Sequence, residues 1–192
     1  MGDFDGDGIV DLVACAPKEA ELRYMRGRKD GGFEPFVAFP FLRGVSALAA
    51  GDFDADGKAS LLVSSEEEGM VGVCRLQKGK RFGFPEPLAI ENDTVAMACS
   101  DLDGDGRDEA VLVTKKKYDY RLVSLKANDK GILEAGKATD LDDLERDPSG
   151  LLVRDLDGDD DLDLLILSGR DPAILLLRDK DGEFEAAADR YV

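Results

Sequence analysis

The sequence predicts an all-β fold, a β-propeller of about four four-stranded blades, and three observations predict it. One acidic loop pattern occurs four times, beginning at Asp3, Asp52, Asp101 and Asp155. Its starts are 49, 49 and 54 residues apart, the period of a blade-type repeat. Short apolar runs separated by Gly- and Asp-rich turns fill each period, about four to a repeat. Helical periodicity extends nowhere over a useful length.

The loop comes first in each repeat. Its carboxylates stand at positions 1, 3, 5 and 9: Asp3, Asp5, Asp7 and Asp11; Asp52, Asp54, Asp56 and, in place of the last, Ser60; Asp101, Asp103, Asp105 and Glu109; Asp155, Asp157, Asp159 and Asp163. Carboxylates at 1, 3 and 5 converge only if the chain coils tightly, and Gly at position 6 supplies the positive φ of such a coil. The backbone carbonyl of position 7 is then expected to face inward, from Ile9, Lys58, Arg107 and Asp161. Six or seven oxygen ligands suit Ca²⁺ better than Mg²⁺, which demands a rigid octahedron and keeps its waters. The chain has no His and no paired Cys motif, so zinc and copper are poor candidates.

Two other calcium motifs fail on the residues. An EF-hand needs a Glu at position 12 and a helix after it, but position 12 is Ala14, Val63, Leu112 and Ile166, inside β-type runs. A Gly-Gly-x-Gly-x-Asp series of the RTX kind is missing as well. Asp-Gly turns also serve ordinary hairpins, but four copies in phase argue against mere solvated turns.

The strands follow the loop. An apolar run precedes it, at 45–50, 95–99 and 151–153, and is named strand A. Strand B comes next, at 12–14, 61–63, 111–113 and 164–167, then strand C at 21–25, 71–76, 120–125 and 173–177. A hairpin signal leads to strand D at 33–41, 84–90, 132–138 and 184–192. The small residues of strand A, such as Ala47, Ala49 and Ala50, suit a channel lining, and strand B is apolar on both sides because neighbouring blades cover both its faces. The expected blades are 1–43, 44–92, 93–142 and 150–192, one propeller domain or propeller fragment. The acidic stretch from Thr139 to Ser149, which contains Pro148, accounts for the longest spacing and reads as a solvated loop.

Composition bounds the function. With 25 basic and 42 acidic residues the formal charge is −17. Fifteen of the acids occupy proposed ligand positions, so metal sites explain much of the acidity. An acidic balance argues against a nucleic-acid partner. No run of 18 apolar residues suggests a membrane span. Met1-Gly2 lead straight into the first loop, so no signal peptide is expected. Cys15, Cys74 and Cys99 sit in apolar runs and read as buried thiols rather than a disulfide.

Residues 3–17, Asp-x-Asp-x-Asp-Gly-x-x-Asp-Leu-Val-x-x-Ala-Pro, resemble the FG-GAP or VCBS repeat of integrin-α-type β-propellers. Cys15-Ala16-Pro17 stands where the Gly-Ala-Pro of the name falls, and Gly32-Phe33 and Phe82-Gly83 echo its Phe-Gly half. The resemblance implies a propeller, usually of seven blades, with Ca²⁺ between the first two strands of a blade. It also implies an extracellular, surface or periplasmic address and a protein or glycan ligand. Against the family pattern, Ser60 replaces the last carboxylate of the second loop, Glu109 replaces Asp in the third, and Asp160 replaces the position-6 Gly in the fourth. Calcium affinity is expected to fall from the first loop to the second. The first blade lacks its strand A, giving three full blades and three quarters of another, which favours a fragment of a larger propeller or a homo-oligomer.

The expected function is therefore a calcium-stabilised binding or scaffold module. The alternative is the propeller part of an extracellular carbohydrate-active or other hydrolytic or lyase enzyme. The chain offers that alternative no His, no Gly-x-Ser-x-Gly elbow and no phosphate loop. Glu66, Glu67 and Glu68 read as a solvated turn, and Tyr24, Tyr118, Tyr120 and Tyr191 as ordinary strand or edge residues. No catalytic residue and no organic cofactor are expected.

Overall fold

A computed structural model describes residues 1–78, 81–128, 131–169, 173–178 and 183–187. Among them the chain is all-β apart from one 3-10 turn at Pro17–Glu19. Four antiparallel sheets follow one another along the sequence. Blade 1 has three strands: β1 (Leu12–Ala16), β2 (Glu21–Met25) and β3 (Val37–Pro40). Blade 2 pairs β4 (Val45–Gly51), β5 (Ser60–Ser65), β6 (Met70–Cys74) and β9 (Glu86–Pro87). A small ribbon, β7 (Leu76–Gln77) with β8 (Arg81–Phe82), extends from it. Blade 3 is β10 (Asp93–Ser100), β11 (Glu109–Lys116), β12 (Asp119–Ala127) and β13 (Leu133–Asp140). Blade 4 is β14 (Gly150–Arg154), β15 (Asp163–Leu167), β16 (Ile174–Arg178) and β17 (Phe184–Ala186).

The meander order within each sheet and the four-strand repeat are those of a partial β-propeller. The first sheet lacks an inner strand, as its sequence predicts; only a bridge between Gly2 and Asp11 stands in its place. Strand C of the first blade keeps its expected bounds, 21–25. The outer strands are shorter than the apolar runs suggest: β3 is Val37–Pro40 against 33–41, and β9 is Glu86–Pro87 against 84–90. Pro35, Pro40, Pro85 and Pro87 punctuate these runs, and a prolyl residue has no N–H to give a ladder. The last outer strand is described only at Phe184–Ala186; the rest of its expected span, with Tyr191, lies outside the described residues.

Three hydrophobic clusters lie between successive blades. The first joins Leu22, Tyr24 and Phe39 of blade 1 to Leu61 and Cys74 of blade 2. The second joins Leu62, Val71 and Val73 to Ala110, Leu112 and Leu125. The third joins Val111, Val113 and Leu122 to Leu164, Ile166 and Leu176. Strand B therefore sends alternate side chains to opposite neighbours, which is why it reads as a continuous apolar run. In β11, Val111, Leu112 and Val113 are all at most 1% exposed.

One loop is not the solvated insertion expected of it. Between β13 and β14, Leu141 and Leu144 enter the third cluster, and Pro148 is buried as well. Asp147 Oδ1 accepts hydrogen bonds from Tyr120 Oη (2.7 Å) and Lys115 Nζ (2.6 Å). The acidic surface of the segment hides an apolar underside. The three cysteines are free thiols. Burial pushes Cys74 up to about 12 and raises Cys15 and Cys99 as well, which disfavours the thiolate at all three.

Candidate metal-binding loops

Each loop leads directly into strand B of its blade, so the sheet fixes position 9 and the coil before it carries the other acids. The coil is specified by two left-handed residues. Position 6 has positive φ at Gly8, Gly57, Gly106 and Asp160, the last at 72°. Position 4 is left-handed too, at Gly6, Ala55 (56°), Gly104 and Gly158. The position-4 requirement is readable in the three glycines that share that place, Gly6, Gly104 and Gly158.

The same local hydrogen bonds recur. The position-5 carboxylate accepts from the N–H of position 7: Asp7 from Ile9 (3.0 Å), Asp56 from Lys58 (2.9 Å), Asp105 from Arg107 (2.9 Å) and Asp159 from Asp161 (2.9 Å). The position-1 carboxylate accepts from N–H groups across the coil. Asp3 takes Gly6 (2.8 Å), Asp7 (3.2 Å) and Gly8 (2.7 Å), and Asp52 takes Gly57 (2.8 Å). Asp101 takes Gly106 (3.0 Å), and Asp155 takes Gly158 (2.7 Å). At position 9 the acid turns inward and accepts from the N–H of position 2. Phe4 donates to Asp11 (3.1 Å), Leu102 to Glu109 (2.8 Å) and Leu156 to Asp163 (2.8 Å).

These bonds bring three acidic groups of every loop together, with one oxygen of each within 4.8 Å of the others. The groups are Asp3, Asp5 and Asp11; Asp52, Asp54 and Asp56; Asp101, Asp103 and Glu109; and Asp155, Asp157 and Asp163. Asp7, Asp105 and Asp159 stand outside their clusters. In the second loop Ser60 is buried at position 9 and Asp56 takes the third place. That cluster rests wholly on the coil, whereas the other three are anchored by a buried acid on the sheet.

The position-9 acids are the most sheltered groups of the sites. Asp11 is fully buried, Asp163 is 1% exposed and Glu109 is 6% exposed. Burial holds the Glu109 carboxyl above its ordinary pKa, against the lowering effect of the Leu102 N–H. Burial likewise raises Asp157, with Asp159 beside it adding to the effect. Among the described residues, Asp5 Oδ1, Asp101 Oδ1 and Glu109 Oε1 are buried and accept no hydrogen bond. Buried carboxylate oxygens without a donor are costly, and a hard cation between them would relieve that cost. The donor set, all oxygen, fits such an ion.

Sequence reasoning missed the groups that face these acids. Tyr24, read as an ordinary strand residue, is 2% exposed and its hydroxyl donates to Asp11 Oδ2 at 2.9 Å. Its phenol is held above the ordinary pKa by burial first and by Asp11 next. Asp11 Oδ1 accepts from Gly27 N at 2.8 Å. A Cβ on Gly27 would stand 2.3 Å from the Val10 carbonyl oxygen, so the approach requires glycine. Basic side chains at or just past the end of strand C also meet the loops. Arg26 pairs with Asp5 and Asp7 (2.6 Å each), and Arg75 with Asp54 (3.4 Å). Lys126 pairs with Asp103, Asp105 (3.3 Å) and Glu109 (3.9 Å), and Arg178 with Asp161 (3.5 Å). The signal for them was a basic residue within one position of the end of strand C in all four repeats.

Residues 3–63 match the family model of the FG-GAP-like repeat. The match runs from the first loop through blade 1 and the second loop into β5. No curated protein matches the chain. The match falls on the segment whose loop residues carry the resemblance, and its loop geometry recurs twice more along the chain. Residues 3–63 are thus similar to an FG-GAP-like repeat, which is consistent with an FG-GAP or VCBS repeat protein.

Proposed function

We propose that the chain is a calcium-stabilised propeller-type module that binds or scaffolds a protein or glycan ligand, with the calcium structural. The observation that carries this reading is the recurrence, in four loops, of three convergent acidic groups. Buried carboxylate oxygens lacking donors in the first and third loops support it. Asp3, Asp5 and Asp11 would hold one ion, Asp101, Asp103 and Glu109 another, and Asp155, Asp157 and Asp163 a third. Asp52, Asp54 and Asp56 would hold the weakest, since Ser60 brings no charge. The backbone carbonyls of Ile9, Lys58, Arg107 and Asp161, turned inward, would complete the shells.

Bound Ca²⁺ would neutralise the crowded acids, so its binding free energy becomes folding free energy. The reading is that of a non-enzymatic module, since the loops claim the organised carboxylates of the described residues for the metal. The millimolar calcium outside cells keeps even weak all-oxygen sites filled, which favours an extracytoplasmic address. The experiment is equilibrium dialysis with ⁴⁵Ca²⁺ on the chain and on single-loop variants. Asp11→Asn and Asp163→Asn should each remove one bound ion, and Ser60→Asp should tighten the weakest site. Equal, negligible uptake by all of them would refute the reading.

A further inference from the structure

The second loop lacks the group that anchors the other three. In those loops the position-9 acid sits on the sheet, joins the acidic triad and accepts from the position-2 N–H. Ser60 brings no carboxylate to that place, and the triad of Asp52, Asp54 and Asp56 lies entirely on the coil. A ligand set carried by a coil alone loses more freedom when it closes on an ion, so it binds more weakly unless a group outside the coil holds it.

Blade 3 reaches that loop with one acid. Position 8 is Val10, Ala59 and Leu162 in the first, second and fourth loops, and Asp108 in the third. A backbone bond ties position 8 of one loop to position 1 of the loop before it: Ala59 N donates to Asp3 O at 2.7 Å, and Asp108 N to Asp52 O at 2.8 Å. Ala59 adds only a methyl group there, whereas the Asp108 carboxylate also accepts from Asp52 N at 2.7 Å. One residue of blade 3 thus holds Asp52 at both its N–H and its carbonyl. The approach is close: a Cβ on Gly51 would stand 3.1 Å from Asp108 Cβ and 2.9 Å from Cys99 Cβ. A further acid beside three others costs repulsion, and the other loops fold with an apolar residue at position 8.

We propose that Asp108 is a positioning residue for the cation of the second loop, doing from blade 3 what the position-9 acid does within each of the other loops. The proposal rests on the calcium reading of the loops. Asp52 accepts from Gly57 N at 2.8 Å and from Asp56 N at 3.2 Å, so the coil closes around its carboxylate. Asp108 fixes the backbone that carries this carboxylate and acts on the ion through Asp52. The second site therefore depends on the blade that follows it, whereas the other three are anchored by their own sheets.

The test is equilibrium dialysis with ⁴⁵Ca²⁺, read as the dissociation constant of the weakest site. Removing an outer partner of a metal ligand costs about 10–100-fold in affinity, so Asp108→Ala should weaken that site by about tenfold or more. Asp108→Asn keeps an acceptor for the Asp52 N–H and should stay close to the wild type. Ser60→Asp supplies the missing anchor, so adding Asp108→Ala to it should change little. Asp54→Asn disables the second loop, and adding Asp108→Ala to it should leave the remaining sites as they were. An Asp108→Ala variant with an unchanged weakest site overturns the proposal. So does an Asn variant as weak as the Ala one, which means that the charge acts and not the hydrogen bond. So does an equal loss in the Ser60→Asp or Asp54→Asn background, which means that Asp108 serves general stability or its own loop. A wild type that takes up no Ca²⁺ defeats the calcium reading itself, and this proposal with it. If Asp108→Ala loses its β circular dichroism, Asp108→Val, matching position 8 of the first loop, replaces it.

Discussion

The Asp108 carboxylate of blade 3 accepts a hydrogen bond from the backbone N–H of Asp52 in blade 2, at 2.7 Å, while Asp108 N donates to the Asp52 carbonyl at 2.8 Å. Two adjacent loops are thereby clamped through one residue pair. Burial raises the Asp108 carboxyl pKa, and the Asp52 charge adds to it, whereas the Asp52 N–H lowers it. Asp108→Ala leaves the Asp52 N–H without that acceptor and is expected to cost about 1–3 kcal/mol. Asp108→Asn keeps an acceptor and should cost less. Urea unfolding of the three proteins in excess Ca²⁺ checks this; equal midpoints for Ala and wild type would refute it.

The Tyr24–Asp11 pair makes a sharper test of the first loop. Tyr24→Phe keeps the ring packing with Phe4 and Phe82, whose centroids lie 6.5 and 5.9 Å away. It removes only the donor to a buried carboxylate, a bond of the charged class worth about 1.5–3 kcal/mol. The expected outcome is a lower denaturant midpoint at unchanged m-value. A midpoint equal to wild type would show that the hydroxyl contributes nothing.

The two non-glycine residues in left-handed loop positions should be improvable. Left-handed backbone costs an ordinary L-residue about 1–2 kcal/mol, and Asp somewhat less. Ala55→Gly and Asp160→Gly are expected to stabilise by about 0.5–1 kcal/mol net, because glycine also loses more entropy on folding. Gly158→Ala, at φ 85°, should destabilise by about 1–2 kcal/mol. Thermal melts in Ca²⁺ decide the signs.

The loop between β13 and β14 should behave as part of the core. Leu144 is 5% exposed, and Leu144→Ala is expected to cost about 2–5 kcal/mol. On its surface, the Asp147 carboxyl is held below the ordinary carboxylate range by Lys115 first and by the Tyr120 hydroxyl. A lowered acid stabilises the fold above its unfolded pKa and loses that contribution as pH falls through the folded one. Asp147→Asn should therefore destabilise more at neutral pH than at strongly acid pH, where protonation of the wild-type carboxyl removes its contribution. The effect stays under about 1 kcal/mol, because the Asp147 side chain is 53% exposed. An Asn variant equally destabilised at both pH values would contradict this.

The sheets were legible in the sequence because strand B is buried on both faces in blades 2 and 3, so Leu61-Leu62-Val63 and Val111-Leu112-Val113 are apolar at every position. The acidic triads were legible because the oxygen spacing is carried by neighbouring residues of one coil. What escaped detection depends on contacts between distant positions. Nothing local to Tyr24 points to Asp11, thirteen residues away, and nothing in the acidic 139–149 stretch marks Leu141 and Leu144 as core. The outer strands were overestimated because apolar runs were counted past Pro35 and Pro85, where the ladder ends.

The central claim is that clustered carboxylates in four equivalent coils need a divalent cation for the blades to be stable. Differential scanning calorimetry with added Ca²⁺ and with excess EDTA tests it most directly. At a hundredfold excess over its dissociation constant each ion adds about 2.7 kcal/mol. The melting temperature is predicted to rise with Ca²⁺, less with Mg²⁺, and to fall in EDTA. A melting curve that EDTA leaves unmoved would contradict the account.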